Sequence, residues 1–146
     1  MSFFLKAIIG KSDDLKNIFS KFDRLVVKEM PQSISIIPVV NHFYETITNS
    51  RLIDEYTDTF ITDLFLEQLS QLSKEATFGY IEAEYFGGTG TQKAVLFIKE
   101  SKEITRFSDD NAINSLLQYF DVQKKNGHDE FDTIGLGQIR DSNKID

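Results

Sequence analysis

Two carboxylates, two aromatic rings and three glycines lie together in the stretch EAEYFGGTGTQ, residues 82–92. Glu82 and Glu84 could form an acid–base pair of the kind that glycosidases use, and the glycines could form a phosphate-binding loop. A Walker-type loop requires G-x-x-x-x-G-K-[ST], and the dinucleotide fingerprint requires G-x-G-x-x-G between a strand and a helix. Here the glycines precede the strand-like AVLFIK, so neither nucleotide motif is present.

The glycines are better explained as the turn of a β-hairpin, because glycine adopts a positive φ without steric strain. With Gly87–Gly90 as the loop, Glu84 is predicted to lie opposite Lys93, and such a pair of opposite charges contributes roughly 0.2–1 kcal/mol. One face of this hairpin is then apolar and consists of Ile81, Ala83, Tyr85, Ala94, Leu96 and Ile98. The other face carries both carboxylates, and we favour a structural role for Glu82 and Glu84.

A second group of possible metal ligands lies in the stretch GHDEFD: Asp129, Glu130 and Asp132, with His128 beside them. Their spacing differs from the D-x-D-x-D-G pattern of calcium loops. The other histidine, His42, has no second histidine at the spacing of a zinc site, and we expect it to be partly buried in a helix. We therefore expect a solvated acidic loop, with no metal and no cofactor.

The composition argues against several classes of function. The chain has no cysteine, which excludes disulfides, thiolate metal sites and cysteine nucleophiles, and which fits the cytoplasm. The G-x-S-x-G pattern of a serine nucleophile is absent as well. The formal net charge is −7, and an acidic protein repels phosphate backbones, so a basic protein is a better expected partner than a nucleic acid. The longest uncharged apolar run, residues 33–41, is too short to cross a membrane.

The negative charge is concentrated in one third of the chain. Residues 29–73 hold seven acids and one base, whereas the remaining residues hold sixteen acids and fifteen bases. Six of these acids are the predicted contacts for a basic partner: Glu45, Asp54, Glu55, Asp58, Asp63 and Glu67. A solvated helix face would account for the same run of acids, so the pattern alone leaves both interpretations open.

Strands and helices alternate along the predicted chain. Strands are predicted at residues 3–9, 24–29, 33–37, 76–86, 91–99 and 103–107. Helices are predicted after Ser12 and Ser108, which are expected to cap them, and across residues 40–49 and 58–73. The helix over 58–73 should turn an apolar stripe inward: Phe60, Ile61, Leu64, Phe65, Leu69 and Leu72.

This order of elements predicts one α+β domain over residues 1–146, with a mainly antiparallel sheet and helices packed on it. After Asp121 the chain becomes polar. We therefore expect residues 121–146 to form a loop-rich C-terminal segment.

Four segments carry a resemblance to a known family: EMPQSISIIPV (29–39), YIEAEYFGGTGTQKAVLF (80–97), AINSLLQYF (112–120) and GHDEFDTIGLGQIR (127–140). They resemble the shared motifs of a functionally uncharacterised bacterial family of small soluble proteins. The match spans roughly residues 29–140, and the segments EAEYFGG and DEFDTIGLG are its specific parts. None of these motifs is catalytic, and the acidic residues 49–73 are individual to this chain.

Proteins of this kind look like the immunity proteins of contact-dependent inhibition and related toxin systems. The resemblance implies a cytoplasmic protein that is not an enzyme and that binds the C-terminal domain of a cognate toxin. Many such toxins are nucleases with basic substrate sites, onto which an acidic inhibitor can be steered. The alternative is a small carboxylate- or metal-dependent hydrolase, which requires the last motif to fold beside the hairpin. Its candidate residues are Glu82, Glu84, Asp129, Glu130 and Asp132, with His128 as a further candidate.

Overall fold

Six strands form one antiparallel sheet in the part of the chain that the computed structural model describes, which is residues 2–22, 25–49, 62–86, 89–101 and 104–139. The strands are β1 Ser2–Lys11, β2 Lys28–Met30, β3 Ile34–Pro38, β4 Phe78–Phe86, β5 Thr89–Phe97 and β6 Ile104–Phe107. Their order across the sheet is β2-β3-β1-β4-β5-β6, so β1 and β4 are the central strands. The prediction of an α+β fold with a mainly antiparallel sheet is confirmed.

Helices pack on both faces of this sheet. They are α1 Ser12–Phe19, α2 Asn41–Thr48, α3 Asp63–Leu72, α4 Ala112–Tyr119 and α5 Glu130–Thr133. The first three helices contribute to one apolar core, and α4 contributes to the other. Successive side chains of a strand point to opposite faces. In β1, therefore, Ile8 enters the core beneath α1, α2 and α3, whereas Ala7 and Ile9 enter the core beneath α4.

The hairpin of β4 and β5 has the predicted faces but not the predicted register. Only two residues separate the strands, so Glu84 lies opposite Thr91, and Lys93 lies opposite Glu82. A shift of two residues returns every side chain to its own face, and the apolar pattern therefore fitted both registers. Two-residue connections are the commonest hairpin loops, and the observed register has that length.

Both predicted serine caps are wrong. Ser12 is the first residue of α1, and its hydroxyl shares a hydrogen bond of 2.6 Å with the Ser35 hydroxyl on β3. The last long helix, α4, begins four residues after Ser108. The Asp109 carboxylate accepts a hydrogen bond of 2.9 Å from the Asn111 backbone N–H, which forms a turn ahead of the helix.

Helix α3 follows part of the predicted helix over 58–73, and Phe60 and Ile61 lie outside the described residues. The Thr62 side chain caps it by accepting a hydrogen bond from the Phe65 backbone N–H. Leu64 was predicted to face inward but is 38% exposed, while Leu66 is buried. Because Phe65 and Leu69 face the core, a residue one position before Phe65 falls on the outer side of the helix.

One further prediction needs correction. The strand predicted over 24–29 is observed at Lys28–Met30, and residues 25–27 are not part of it. In the C-terminal segment, the described residues are mostly turns and loops around α5 and a 3₁₀ turn at Leu136–Gln138. Ile134 and Leu136 are fully buried in the core beneath α4. Residues 140–146 lie outside the described part of the chain.

Close packing of α4 on the sheet requires a glycine at position 79. A Cβ built on Gly79 would lie 2.5 Å from Leu116 Cδ2. Gly79→Ala is therefore expected to lower the free energy of unfolding by about 1–3 kcal/mol, measured by urea denaturation. In a Leu116→Ala background the same substitution should cost much less, because the clashing atoms are gone. Equal costs in both backgrounds would show that this contact does not limit the packing.

The hairpin register can be tested with engineered cysteines, since the chain has none of its own. Glu84→Cys with Thr91→Cys places two thiols directly opposite each other, and mild oxidation should join them. Glu84→Cys with Lys93→Cys should remain reduced, because residues on the diagonal lie roughly 7–8 Å apart. Mass spectrometry under non-reducing conditions distinguishes the two results, and the reverse pattern would establish the other register.

Candidate functional site

Three ionisable side chains are buried on the sheet face that α1, α2 and α3 cover. Lys6 is 3% exposed, Glu82 is 7% exposed and Tyr80 is fully buried. The Tyr80 hydroxyl donates a hydrogen bond of 2.7 Å to Glu82 Oε2. Lys6 on β1 and Lys93 on β5 are the direct cross-strand neighbours of Glu82. The Glu82 carboxylate therefore has a lysine on the strand on each side and accepts a hydrogen bond from Tyr80.

The protonation of Tyr80 follows from this setting. Burial raises the pKa of Tyr80 well above its ordinary value, and the charge of the Glu82 carboxylate and its hydrogen bond raise it further. Both effects disfavour the phenolate. At neutral pH, Tyr80 is thus a hydrogen-bond donor to Glu82 and not a nucleophile. Lys6 Nζ lies 4.6 Å from the centre of the Phe4 ring, at the distance of a cation–π contact.

The acidic C-terminal motif is built into the packing of α5. Asp129 Oδ1 accepts a hydrogen bond of 2.9 Å from the Asp132 backbone N–H, which caps the helix. Its second oxygen accepts a bond of 3.1 Å from the Asn114 amide. Glu130 is buried, and its carboxylate accepts a bond of 3.2 Å from the Gln118 amide. These hydrogen bonds give two of the three acids a structural role.

The hairpin carboxylates and the C-terminal carboxylates do not meet. Glu82 and Glu84 share the sheet face of α1, α2 and α3, because alternate residues of a strand point the same way. Helix α5 packs with α4 on the opposite face. Within the described ranges, no group of three His, Asp or Glu side chains is placed to hold a metal ion. These carboxylates therefore do not form the hydrolase site that the sequence allowed.

In the sequence, the predicted partner-binding acids fall within α2, within α3 or in the segment that joins them, and the two helices contact each other. Asp63 and Glu67 are exposed on α3, and Glu45 is half-buried on α2. Asp54, Glu55 and Asp58 lie outside the described residues. His42, predicted to be partly buried, is exposed on α2, since the stripe of Phe43, Tyr44 and Ile47 takes the inner side.

Aromatic side chains hold these two helices together. The Tyr44 ring stacks on the Phe65 ring with centroids 5.3 Å apart. The Tyr44 hydroxyl also shares a hydrogen bond of 3.1 Å with the Thr62 hydroxyl at the start of α3. Neither helix contains lysine or arginine. The charged side chains of these two helices are therefore all acidic, and we call the described acids Glu45, Asp63 and Glu67 the acidic face.

Glu29, the remaining acid of residues 29–73, is compensated within the chain. Its carboxylate lies 2.6 Å from Lys16 Nζ. The hydrogen bond from Lys16 and its positive charge lower the pKa of Glu29, and the pKa of Lys16 is raised for the same reasons. Both side chains are open to water, so the pair contributes little to stability. Glu29 is accordingly not part of the acidic face.

Sequence reasoning missed the role of Lys6. A single lysine interrupts the apolar run FFLKAII, and a charge inside such a strand indicates either an edge position or a buried partner. It also missed Asn114 and Gln118, whose amides bind the C-terminal acids. Polar residues in a helix carry no sequence pattern that identifies a distant partner.

Comparisons of the chain with protein-family models, with curated proteins and with solved structures find no match. None of the described helices is long and apolar enough to cross a membrane. The assignment of a function must therefore come from the chemistry of the chain itself.

Removal of the hydrogen bond between Tyr80 and Glu82 is expected to destabilise the folded protein. Tyr80→Phe deletes one donor to a buried carboxylate, and we expect a decrease of about 1–3 kcal/mol in the free energy of unfolding at pH 7. Tyr119→Phe is the matched control, because Tyr119 is exposed and should change stability little. Equal effects of the two substitutions would mean that the buried hydrogen bond contributes nothing.

The raised pKa of Tyr80 also predicts a pH dependence. Folding favours the neutral phenol, so its contribution to stability is complete below the unfolded pKa of about 10 and is lost as pH rises towards the folded pKa. The free energy of unfolding of the wild-type protein should fall more steeply above pH 10 than that of Tyr80→Phe. Urea denaturation at several alkaline pH values measures both slopes, and parallel curves would contradict the assignment.

Proposed function

We infer that this protein is an immunity protein: a cytoplasmic inhibitor that is not an enzyme and that binds and neutralises the C-terminal domain of a cognate bacterial toxin. The observation that carries this proposal is the acidic face, in which two adjacent helices present Glu45, Asp63 and Glu67 without a lysine or arginine. The resemblance of the shared motifs to those of an immunity-like family agrees with it.

The charge of this surface indicates the chemistry of the partner. Charges of one sign raise the rate of association with an oppositely charged surface and disfavour partners of like charge. A nuclease binds phosphates and therefore has a basic substrate site, so a nuclease domain is the toxin that we propose. Asp54, Glu55 and Asp58 lie between α2 and α3 in the sequence, and the proposal assigns them to the same contact.

The placement of the other carboxylates supports an inhibitor over a hydrolase. Glu82 and Glu84 lie on one face of the sheet, and Asp129 and Glu130 belong to the elements on the other. Asp129 and Glu130 are also engaged in hydrogen bonds that hold α5. In the acidic face, by contrast, Asp63 and Glu67 are exposed and Glu45 is partly exposed, so a second protein can reach them.

The test is co-expression with the product of the neighbouring upstream reading frame, followed by purification through this protein. We expect a basic polypeptide in a stoichiometric complex, with an affinity that decreases as salt increases. The recovered polypeptide should be toxic when expressed alone. Failure to recover a toxic polypeptide would overturn the proposed function.

Charge reversal then tests the surface. Glu45→Lys with Glu67→Lys is expected to weaken the complex at least about tenfold, mainly through a slower association rate. Glu75→Lys with Asp110→Lys is the control, because both acids are exposed and lie outside α2 and α3 and the change in net charge is the same. Surface plasmon resonance gives both rates. An equal loss in the two variants would show that total charge, and not this surface, governs binding.

A further inference from the structure

Residues 122–139, here called the strap, return over the sheet face that α4 covers. Residues 123–129 are exposed throughout. The later part is buried, because Ile134 and Leu136 enter the same apolar core as Ile34 and Ile36 of β3. The strap therefore covers part of the sheet without being one of its strands.

The beginning of the strap is attached to the turn between β2 and β3. The Gln32 amide donates a hydrogen bond of 2.8 Å to the Gln123 carbonyl oxygen and accepts one of 2.8 Å from the Gln123 backbone N–H. The Gln32 side chain thus makes the donor and acceptor hydrogen bonds that the backbone of a neighbouring strand would make. Gln32, Ser33 and Asp121 all adopt a left-handed backbone, with φ of 64°, 61° and 62°. Residues other than glycine adopt this conformation only where their surroundings hold them there.

The middle of the strap is attached to α4 by two side-chain amides. Asn114 is 9% exposed, and its Oδ1 accepts a hydrogen bond of 2.9 Å from the Phe131 backbone N–H. Its Nδ2 donates a bond of 3.1 Å to Asp129 Oδ2, while the other oxygen of Asp129 caps α5. Asn114 thus binds both the residue that caps α5 and its first turn, and Gln118 of α4 donates a further hydrogen bond of 3.2 Å to Glu130.

Segments with an exposed backbone outside the sheet open more often than core strands, and residues 123–129 of the strap are exposed. We propose that the strap opens as a separate unit while the pairing of β1 and β4 persists. The hydrogen bonds of Gln32 and Asn114 limit how often it opens. Opening uncovers Ile34 and Ile36 and frees the exposed Lys124–Lys125 segment. The strap is thus a conformational device of the fold, and it does not depend on the proposed toxin.

Hydrogen–deuterium exchange of the full-length protein, followed by mass spectrometry, tests this proposal. The amides of residues 131–139 should exchange at least about tenfold faster than those of the central strands. Asn114→Ala should accelerate exchange in the strap about tenfold further, and Gln32→Ala should do so around residue 123, with the central strands unchanged. Asn17→Ala, at an exposed position of α1, is the matched control and should leave both regions unaffected.

Two results would overturn the proposal. If Asn114→Ala accelerates exchange equally in the strap and in β1 and β4, the strap unfolds only with the whole domain. If it accelerates exchange nowhere, the hydrogen bonds of Asn114 do not limit the opening of the strap. Asp129→Ala removes the same hydrogen bond from the exposed side, and it replaces Asn114→Ala if that variant does not fold. Unfolding of both variants would also count against a separable strap.

Discussion

The pairing of β1 with β4 is the contact on which the rest of the fold depends. The two strands are joined from Ser2 opposite Phe86 to Ile9 opposite Gly79, and helices cover both of their faces. A strand buried on two sides must be apolar in nearly every position, as FFLKAIIG is. Each face then needs its own layer of helices, because an uncovered apolar face would be left in water.

The same two-sided burial explains the polar cluster at the centre of the sheet. Lys6 and Glu82 are opposite each other on the central pair, where neither can reach bulk water easily. Removing charges from water costs free energy, which an ion pair recovers only with good geometry and further hydrogen bonds. Tyr80 supplies one such bond, and it does so as a neutral donor because burial and Glu82 keep its proton in place. The cluster thereby distinguishes one arrangement of strands from other apolar pairings.

The chemistry of the outer surface is separate from that of the sheet. The acidic face lies on α2 and α3, whose inner sides are aromatic and whose outer sides carry only negative charge. The four segments quoted for the resemblance lie elsewhere, in the sheet, in α4 and in the C-terminal segment, where their described residues form strands, helices and a helix cap. In the proposed function, the acidic face contacts the toxin, while the sheet and its buried side chains hold α2 and α3 in place.

The sequence by itself determined the order of elements, the fold class and the two faces of the hairpin. These properties follow from apolar periodicity, which is local and repeats along the chain. The tertiary structure decided the pairing of Glu82 with Lys93, because a register shift of two residues leaves the apolar pattern unchanged. It also decided that Ser12 binds Ser35 and that Asn114 binds Asp129. Such partners are 23 and 15 residues apart, and only the folded chain brings their polar atoms within hydrogen-bonding distance.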